Sequence, residues 1–321
     1  MRKTRLCALC WCLLIAGCSG VRSDTSTRSA SNGNDQSKKV AAEKAGRSAE
    51  ELRAQLEPII RAAQGRVGVA ATVLESGESV AINGGGQFPM QSVYKFPIGM
   101  AVLDQVDRGK LKLEQRVLVG KSDFVRAGQH SPIRDRNPNG TELSVRELLR
   151  FMVSESDGTA CDVLLKLIGG PKIVAEYLRG LDVNDVVVAN TEKEIGRDWE
   201  TQYRNWASPE GAVGLLRALH EGRGLSEQSR ALLLKLMTET PTGLRRLKGL
   251  LPAGAVVAHK TGTSGTANGV TAATNDVGLI TLPGGRHIAV AVFVSDSKAD
   301  AAAREEVIAK AARAAWDYWG R

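Results

Sequence analysis

The chain has 321 residues, with 43 lysines and arginines against 35 aspartates and glutamates and a formal net charge of +8. Arg2, Lys3 and Arg5 supply part of that excess at the very start, so the rest is only mildly basic, and no basic patch interleaved with aromatics argues for nucleic acid. Of five cysteines only Cys161 lies in the body, and the four histidines are scattered, which excludes a disulfide framework, a cysteine-based zinc cluster and a His-Glu-x-x-His metal enzyme, and predicts no metal and no cofactor.

The three basic residues are followed by an uncharged run from Leu6 to Gly20. Its apolar centre is too short to anchor stably in a bilayer and reads as a secretory signal. Leu14-Ile15-Ala16-Gly17-Cys18 resembles a bacterial lipoprotein processing box, which implies cleavage after residue 17, lipidation of Cys18 and, with Ser19 next, retention at an outer membrane. Residues 18–47 are rich in Ser, Asn, Gly, Asp, Thr and Lys with little to bury, and are expected to form a flexible tether.

The remaining 48–320 suffice for one catalytic domain. Glu50 to Ala63 has helical spacing through Leu52, Leu56, Ile59 and Ile60, with Ser48 and Glu51 as a capping box and Pro58 as a possible kink. Val67 to Leu74 and Ser79 to Ile82 read as strands around a turn at residues 75–78. From Ser92 to about Leu236 the period becomes helical: Leu143–Val153, Thr159–Ile168, Pro171–Leu178, Pro209–His220 and Ser226–Met237. A long polar stretch, Asn184 to Trp206, interrupts them, though Asp185 to Ala189 has strand-like composition, and a loop of that length usually has a function. Strands return at Val256–Lys260, Val270–Ile280 and His287–Val294, and an amphipathic helix from Ala301 to Trp319 closes the chain. Both ends therefore build one five-stranded antiparallel sheet, in an α+β fold with two terminal helices on the sheet. Residues 48–88 and 238–320 form the α/β part and 89–237 a helical part, and the cleft between them is the expected site.

Four groups can converge on that cleft. Ser92 and Lys95, three apart at the start of an apolar helix, share one face. Burial is expected to lower the Lys95 pKa, letting the amine take a proton from the hydroxyl. Ser156 stands at a joint between two helices. Lys260-Thr261-Gly262-Thr263 ends a strand with a cation and hydroxyls, where glycine lets a ligand approach the backbone, and Glu192 lies in the long loop. Each has a plainer role alone: Ser156 as a helix cap, Lys260 as a solvated strand end, Glu192 as loop charge.

Taken together and in order, these motifs resemble a class A serine β-lactamase from Ser92 to the C-terminus. The extended-spectrum branch is the nearest resemblance, through Gln202-Tyr203-Arg204-Asn205-Trp206, Leu251-Pro252-Ala253-Gly254 and Ala272-Ala273-Thr274-Asn275-Asp276. The resemblance implies that Ser92 is acylated by the lactam and that Lys95 relays its proton. It makes Ser156 the proton donor to the departing nitrogen and Glu192 the base for the deacylating water. Lys260, Thr261, Gly262 and Thr263 would hold the substrate carboxylate, with the N–H groups of Ser92 and Thr263 as oxyanion hole. Arg246 matches an arginine that some members turn toward that carboxylate, though it could equally lie on a surface helix. A monomer acting on a small β-lactam is implied, with a lipid anchor.

Three positions depart from the family pattern. Gly158 stands where an asparagine usually contacts substrate and Lys95, so another amide, a shifted substrate or a water must substitute. Counting forward from Val188-Ala189-Asn190 places Thr191, rather than Glu192, on the family's glutamate, and Glu194 is a further rival. Gly196 stands where many members have an asparagine beside the water. A penicillin-binding D,D-peptidase or esterase shares the acylation residues but lacks such a loop base. A catalytically silent cell-wall lipoprotein on the same fold is the alternative that the two glycines leave open.

Overall fold

The alternation of apolar residues along the last long strand sets the layers. In the computed structural model, which describes residues 49–320, strand β11 (His287–Ser297) turns Ala289, Ala291 and Phe293 toward one core and Ile288, Val290, Val292 and Val294 toward another. A strand read with period two can be buried on both faces only if both are covered. Helix α1 (residues 49–61) and helix α10 (Ala301–Trp319) cover the second face, through Leu52, Leu56, Val307, Ile308, Ala311 and Trp319. The signal, the Cys18 box, the tether and Ser48 of the expected capping box lie outside the described residues.

The sheet is antiparallel in the order β2 (Ser79–Ile82), β1 (Arg66–Val73), β11, β10 (Val270–Thr281), β8 (Val257–Thr263). These are the five expected strands, with the two-residue β9 (Thr266–Ala267) added beside β10. Its other face packs on helices α2 (Lys95–Asp107), α4 (Val145–Val153), α5 (Gly158–Ile168), α6 (Pro171–Gly180), α8 (Pro209–His220) and α9 (Glu227–Thr238). Their starts follow side-chain chemistry. Ser144, Asp157, Ser208 and Ser226 each accept a backbone N–H at an N-cap, and Gly169 at φ +100 ends α5.

The middle segment is less purely helical than its periodicity implies. Strand β4 (Arg116–Val119) pairs with β5 (Thr141–Ser144), with the short helix α3 (Pro132–Arg136) between them, and β3 (Phe88–Pro89) and β6 (Val186–Val187) flank β7 (Trp206–Ala207). Pairs of two to four residues are too short to show an alternation. They matter here because β3 and β7 tie the segment before Ser92 to the end of the long polar loop.

Candidate active site

Ser92 sits in a single 3-10 turn, Gln91–Tyr94, that runs directly into α2, so the expected helix begins one turn later than its first residue suggested. Gln91 adopts φ +47, a left-handed conformation costing a non-glycine residue about 1–3 kcal/mol. Its surroundings hold it there. The Gln91 amide donates to Gln202 Oε1 at 2.6 Å, and Met90 N donates to the Asn205 carbonyl at 2.8 Å. Asn275 Nδ2, buried on β10, donates to the carbonyls of Pro89 at 2.8 Å and Met90 at 3.1 Å. Ser92 is thus fixed from three sides.

Lys95 is fully buried, and its ammonium meets three oxygens: Ser92 Oγ at 2.8 Å, the Ser156 carbonyl at 2.8 Å and Glu192 Oε1 at 2.6 Å. The expectation of a lowered lysine pKa is wrong for this resting arrangement. Burial does work against the charge, but the Glu192 carboxylate in contact outweighs it and holds Lys95 above its ordinary value. The same contact holds Glu192 below the usual carboxylate range, against the opposing effect of its own burial. In the cleft, the lysine whose pKa falls is Lys260. It is equally buried, has no carboxylate in direct contact among the described residues, and lies in the field of Lys95.

Ser156, between α4 and α5, also takes a left-handed φ of +61. The turn is held by Asp157, whose carboxylate caps α5 through Ala160 N at 2.8 Å and receives Ile133 N at 2.7 Å. Asp157 therefore supports the turn while Ser156 Oγ accepts from Lys260 Nζ at 2.8 Å. Lys260 is wholly buried, not a solvated strand end.

The structure separates the three loop candidates. Glu192 opens the four-residue helix α7 (Glu192–Ile195) with its carboxylate on Lys95. Glu194 turns back into a capping box, accepting Thr191 N at 2.9 Å while Thr191 Oγ1 accepts Glu194 N at 3.2 Å. Thr191 and Glu194 are thus occupied with each other.

Two residues that the sequence left without a role secure this loop. Asp162, on α5, accepts the N–H groups of Glu192 at 2.7 Å and Lys193 at 3.0 Å. Burial raises its pKa to about 6 even so. Gln129 donates to the Glu192 carbonyl at 2.5 Å, and its carboxamide fills the space beside Gly196, where a Cβ would lie 2.8 Å from Gln129 Cδ. The side chain missing at Gly196 is replaced by one arriving from another segment. At the loop base, Asn205 Oδ1 accepts Ala189 N and Asn190 N, both at 2.8 Å.

Gly262 shows why the strand must be bare opposite Ser92. A Cβ there would stand 2.2 Å from the Met90 carbonyl, so glycine is what lets β8 lie against the Ser92 turn and bring Thr263 to the cleft. Thr261 Oγ1 is hydrogen-bonded to Thr242 Oγ1 at 2.7 Å. Arg246 is buried beneath the strand rather than on a surface helix. It donates to Thr263 Oγ1 at 2.7 Å and to the carbonyls of Gly262 and Asn275 at 3.1 and 3.0 Å. Beside Gly158, a Cβ would meet the His130 carbonyl at 3.2 Å and Val125 Cγ1 at 3.3 Å, so segment 125–130 occupies part of the room an asparagine would need. Ser92, Lys95, Gln129, Glu192 and Thr263 line a common cleft of about 500 Å³.

Comparison with known proteins gives one consistent result. A family model described as "Beta-lactamase enzyme family" matches residues 51–319. Beta-lactamase VEB-1 of Pseudomonas aeruginosa is 43% identical over 270 residues, spanning 84% of this chain and 90% of that protein. Extended-spectrum beta-lactamase PER-1 of the same organism is 45% identical over 269 residues, spanning 83% and 87%. Among solved structures, a beta-lactamase from Chitinophaga pinensis DSM 2588 superposes with a TM-score of 0.81 at 48% identity over 83% of this chain and 98% of that one. TLA-3 extended-spectrum beta-lactamase superposes with a TM-score of 0.83 at 41% identity, over 85% and 100%.

Proposed function

The chain belongs to the class A serine β-lactamases, and from that premise we propose how its own residues divide the reaction. The enzyme hydrolyses the β-lactam amide of penicillins and cephalosporins through a serine acyl-enzyme. Ser92 Oγ attacks the lactam carbonyl, and its proton passes to the Lys95–Glu192 pair. The observation that carries this assignment is the placement of one ammonium, Lys95 Nζ, 2.8 Å from Ser92 Oγ and 2.6 Å from Glu192 Oε1.

Proton accounting favours Glu192 as the final acceptor. Lys95 rests protonated, so it becomes a base only after handing its proton to the carboxylate; attack then leaves Lys95 charged and Glu192 neutral. Ser156 delivers a proton to the departing nitrogen and is resupplied from Lys260, to which it is hydrogen-bonded. The backbone N–H groups of Ser92 and Thr263 stabilise the oxyanion. Lys260, Thr261 and Thr263 hold the substrate carboxylate, with Arg246 fixing the Thr263 hydroxyl from below. Lys260 recovers its proton from Glu192 by way of Lys95 and Ser156, so the nitrogen carries, in balance, the proton that Ser92 lost. Glu192, ionised again, then draws a proton from the water that releases the acyl group and returns it to the Ser92 oxygen. That second use separates a hydrolase from a penicillin-binding peptidase.

We also propose that residues 1–17 are a signal, that Cys18 is lipidated, that 18–47 tether the domain and that the enzyme works as a monomer. Export to the periplasm is consistent with the family. Nitrocefin turnover by the purified protein tests the reading. Sustained hydrolysis is expected, whereas one equivalent of acylation at Ser92 without turnover points to a penicillin-binding protein.

A further inference from the structure

Two of the four histidines that are scattered in the sequence come together in the fold, away from the catalytic cleft. His220, the last residue of α8, and His287, the first of β11, have ring centroids 4.5 Å apart. Glu75, in the turn between β1 and β2, completes the group. Its Oε1 lies 2.8 Å from His287 Nδ1 and 3.8 Å from His220 Nε2, and its Oε2 accepts His287 N at 2.9 Å. All three donor atoms fall within 4.8 Å of one another.

We propose that Glu75, His220 and His287 form a binding site for a divalent transition metal of the zinc class, clamping the β1–β2 turn, the start of β11 and the end of α8 together. Two imidazoles and a carboxylate are a donor set that zinc takes. Donors about 2.0–2.1 Å from a tetrahedral zinc stand roughly 3.3 Å apart; the two carboxylate–imidazole separations of 2.8 and 3.8 Å lie on either side of that, and the imidazole–imidazole one is within 4.8 Å. Small side-chain shifts therefore suffice. His220 and His287 are half-buried, which limits their freedom before binding yet leaves a path for the ion.

The site is separate from the chemistry. His287 pairs with Thr281 at one end of β10, whereas Thr263 pairs with Thr274 toward the other. The intervening stretch of strand spans about 23 Å at roughly 3.3 Å per residue. The expected role is to hold one end of the sheet's central strands to the helical part, and the proposal does not depend on the catalytic reading.

The test is a thermal melt of the chelator-treated full-length protein in zinc chloride, with a cobalt(II) titration followed by absorption. Zinc at a hundredfold over its Kd is expected to raise the Tm by roughly 5 °C, and cobalt to show the intense visible bands of a tetrahedral site. His220→Gln and His287→Gln, which preserve side-chain size and hydrogen bonding, are each expected to abolish both signals. Absence of either signal in the parent protein, or an undiminished signal in either variant, overturns the site.

Discussion

Lys95 lies closer to the Glu192 carboxylate, at 2.6 Å, than to the Ser92 hydroxyl, at 2.8 Å. The resting site therefore stores its charge as a buried ion pair, and the pair is the unit that titrates. Removing one partner of such a pair strands the other in a medium that cannot solvate it, at a cost of about 3–5 kcal/mol. Lys95→Ala is expected to lose that much stability in denaturant titration as well as its activity. A variant as stable as the parent would deny the pair its structural weight.

Glu192→Gln keeps the shape of the side chain and removes its basicity. Loss of a general base lowers the rate by roughly 10²–10⁴-fold; without the carboxylate, burial favours neutral Lys95, which can take the Ser92 proton itself, so the loss should fall chiefly on deacylation. Intact-mass spectrometry after mixing with benzylpenicillin is expected to show persistent acylation at Ser92. The same experiment on Glu194→Gln should show normal turnover, because Glu194 is occupied in capping α7.

The pair also fixes the pH response. Glu192 is held below its ordinary 4.5, so its contribution to stability is present above the unfolded value and lost as pH falls through the lower folded one. Lys95 is held above 10.5, so its contribution is complete below that value and lost as pH rises through the higher folded one. The profile of kcat/KM is expected to be flat through neutrality, with its acid limb below about pH 4.5. An acid limb near neutrality would contradict the ion-paired ground state.

Asp162 runs in the opposite direction. Its folded pKa, about 6, lies above an unfolded value near 3.8, so the native state binds the extra proton and stability falls as pH rises between them. At about 1.4 kcal/mol per pH unit the window amounts to roughly 3 kcal/mol. Asp162→Asn, which still accepts one of the two loop N–H groups, is expected to flatten the stability profile between about pH 4 and pH 6 when unfolding is followed by denaturant titration. An unchanged profile would mean that another group carries the dependence.

Gln129 and Gly196 compete for one volume. Gln129→Ala removes the donor to the Glu192 carbonyl and is expected to slow deacylation by about tenfold, a loss of roughly 1.4 kcal/mol. Gly196→Asn alone places its Cβ on the Gln129 amide and should be destabilising. The backbone at Gly196, with φ −74, accepts any residue, so the double variant is expected to be better than the sum of the single ones. Strict additivity in stability and in deacylation rate would refute the exchange.

The long elements were legible because their burial is one-sided or complete. Pro209–His220 emerges at its sequence boundaries, and the five main strands fall where alternation and turn residues put them. Of the miniature strands paired through β7, β6 falls inside the strand-like Asp185 to Ala189, whereas β3 and β7 were not legible, since they pair across more than a hundred residues and two residues carry no period. Ser92, Lys95, Ser156 and Lys260 could be named from motif order. The sign of the Lys95 shift could not, because it depends on a carboxylate brought by a loop about a hundred residues further on, and sequence spacing carries no such distance. Gln129 and Asp162 escaped for the same reason. Each serves the loop by meeting its backbone across space, a contact that leaves no pattern along the chain.

Gly158 donates its N–H to the carbonyl of His130, which lines the cleft, at 2.9 Å, so at this point the wall rests on main chain. A wall made of side chains can be recut one codon at a time, whereas one made of peptide groups moves only when its whole segment is lengthened, shortened or re-anchored. Under antibiotic selection, heritable change here is expected to accumulate as insertions, deletions and anchor substitutions across residues 125–131, with position 158 itself left unaltered. Deep sequencing of a selected library reads that distribution directly.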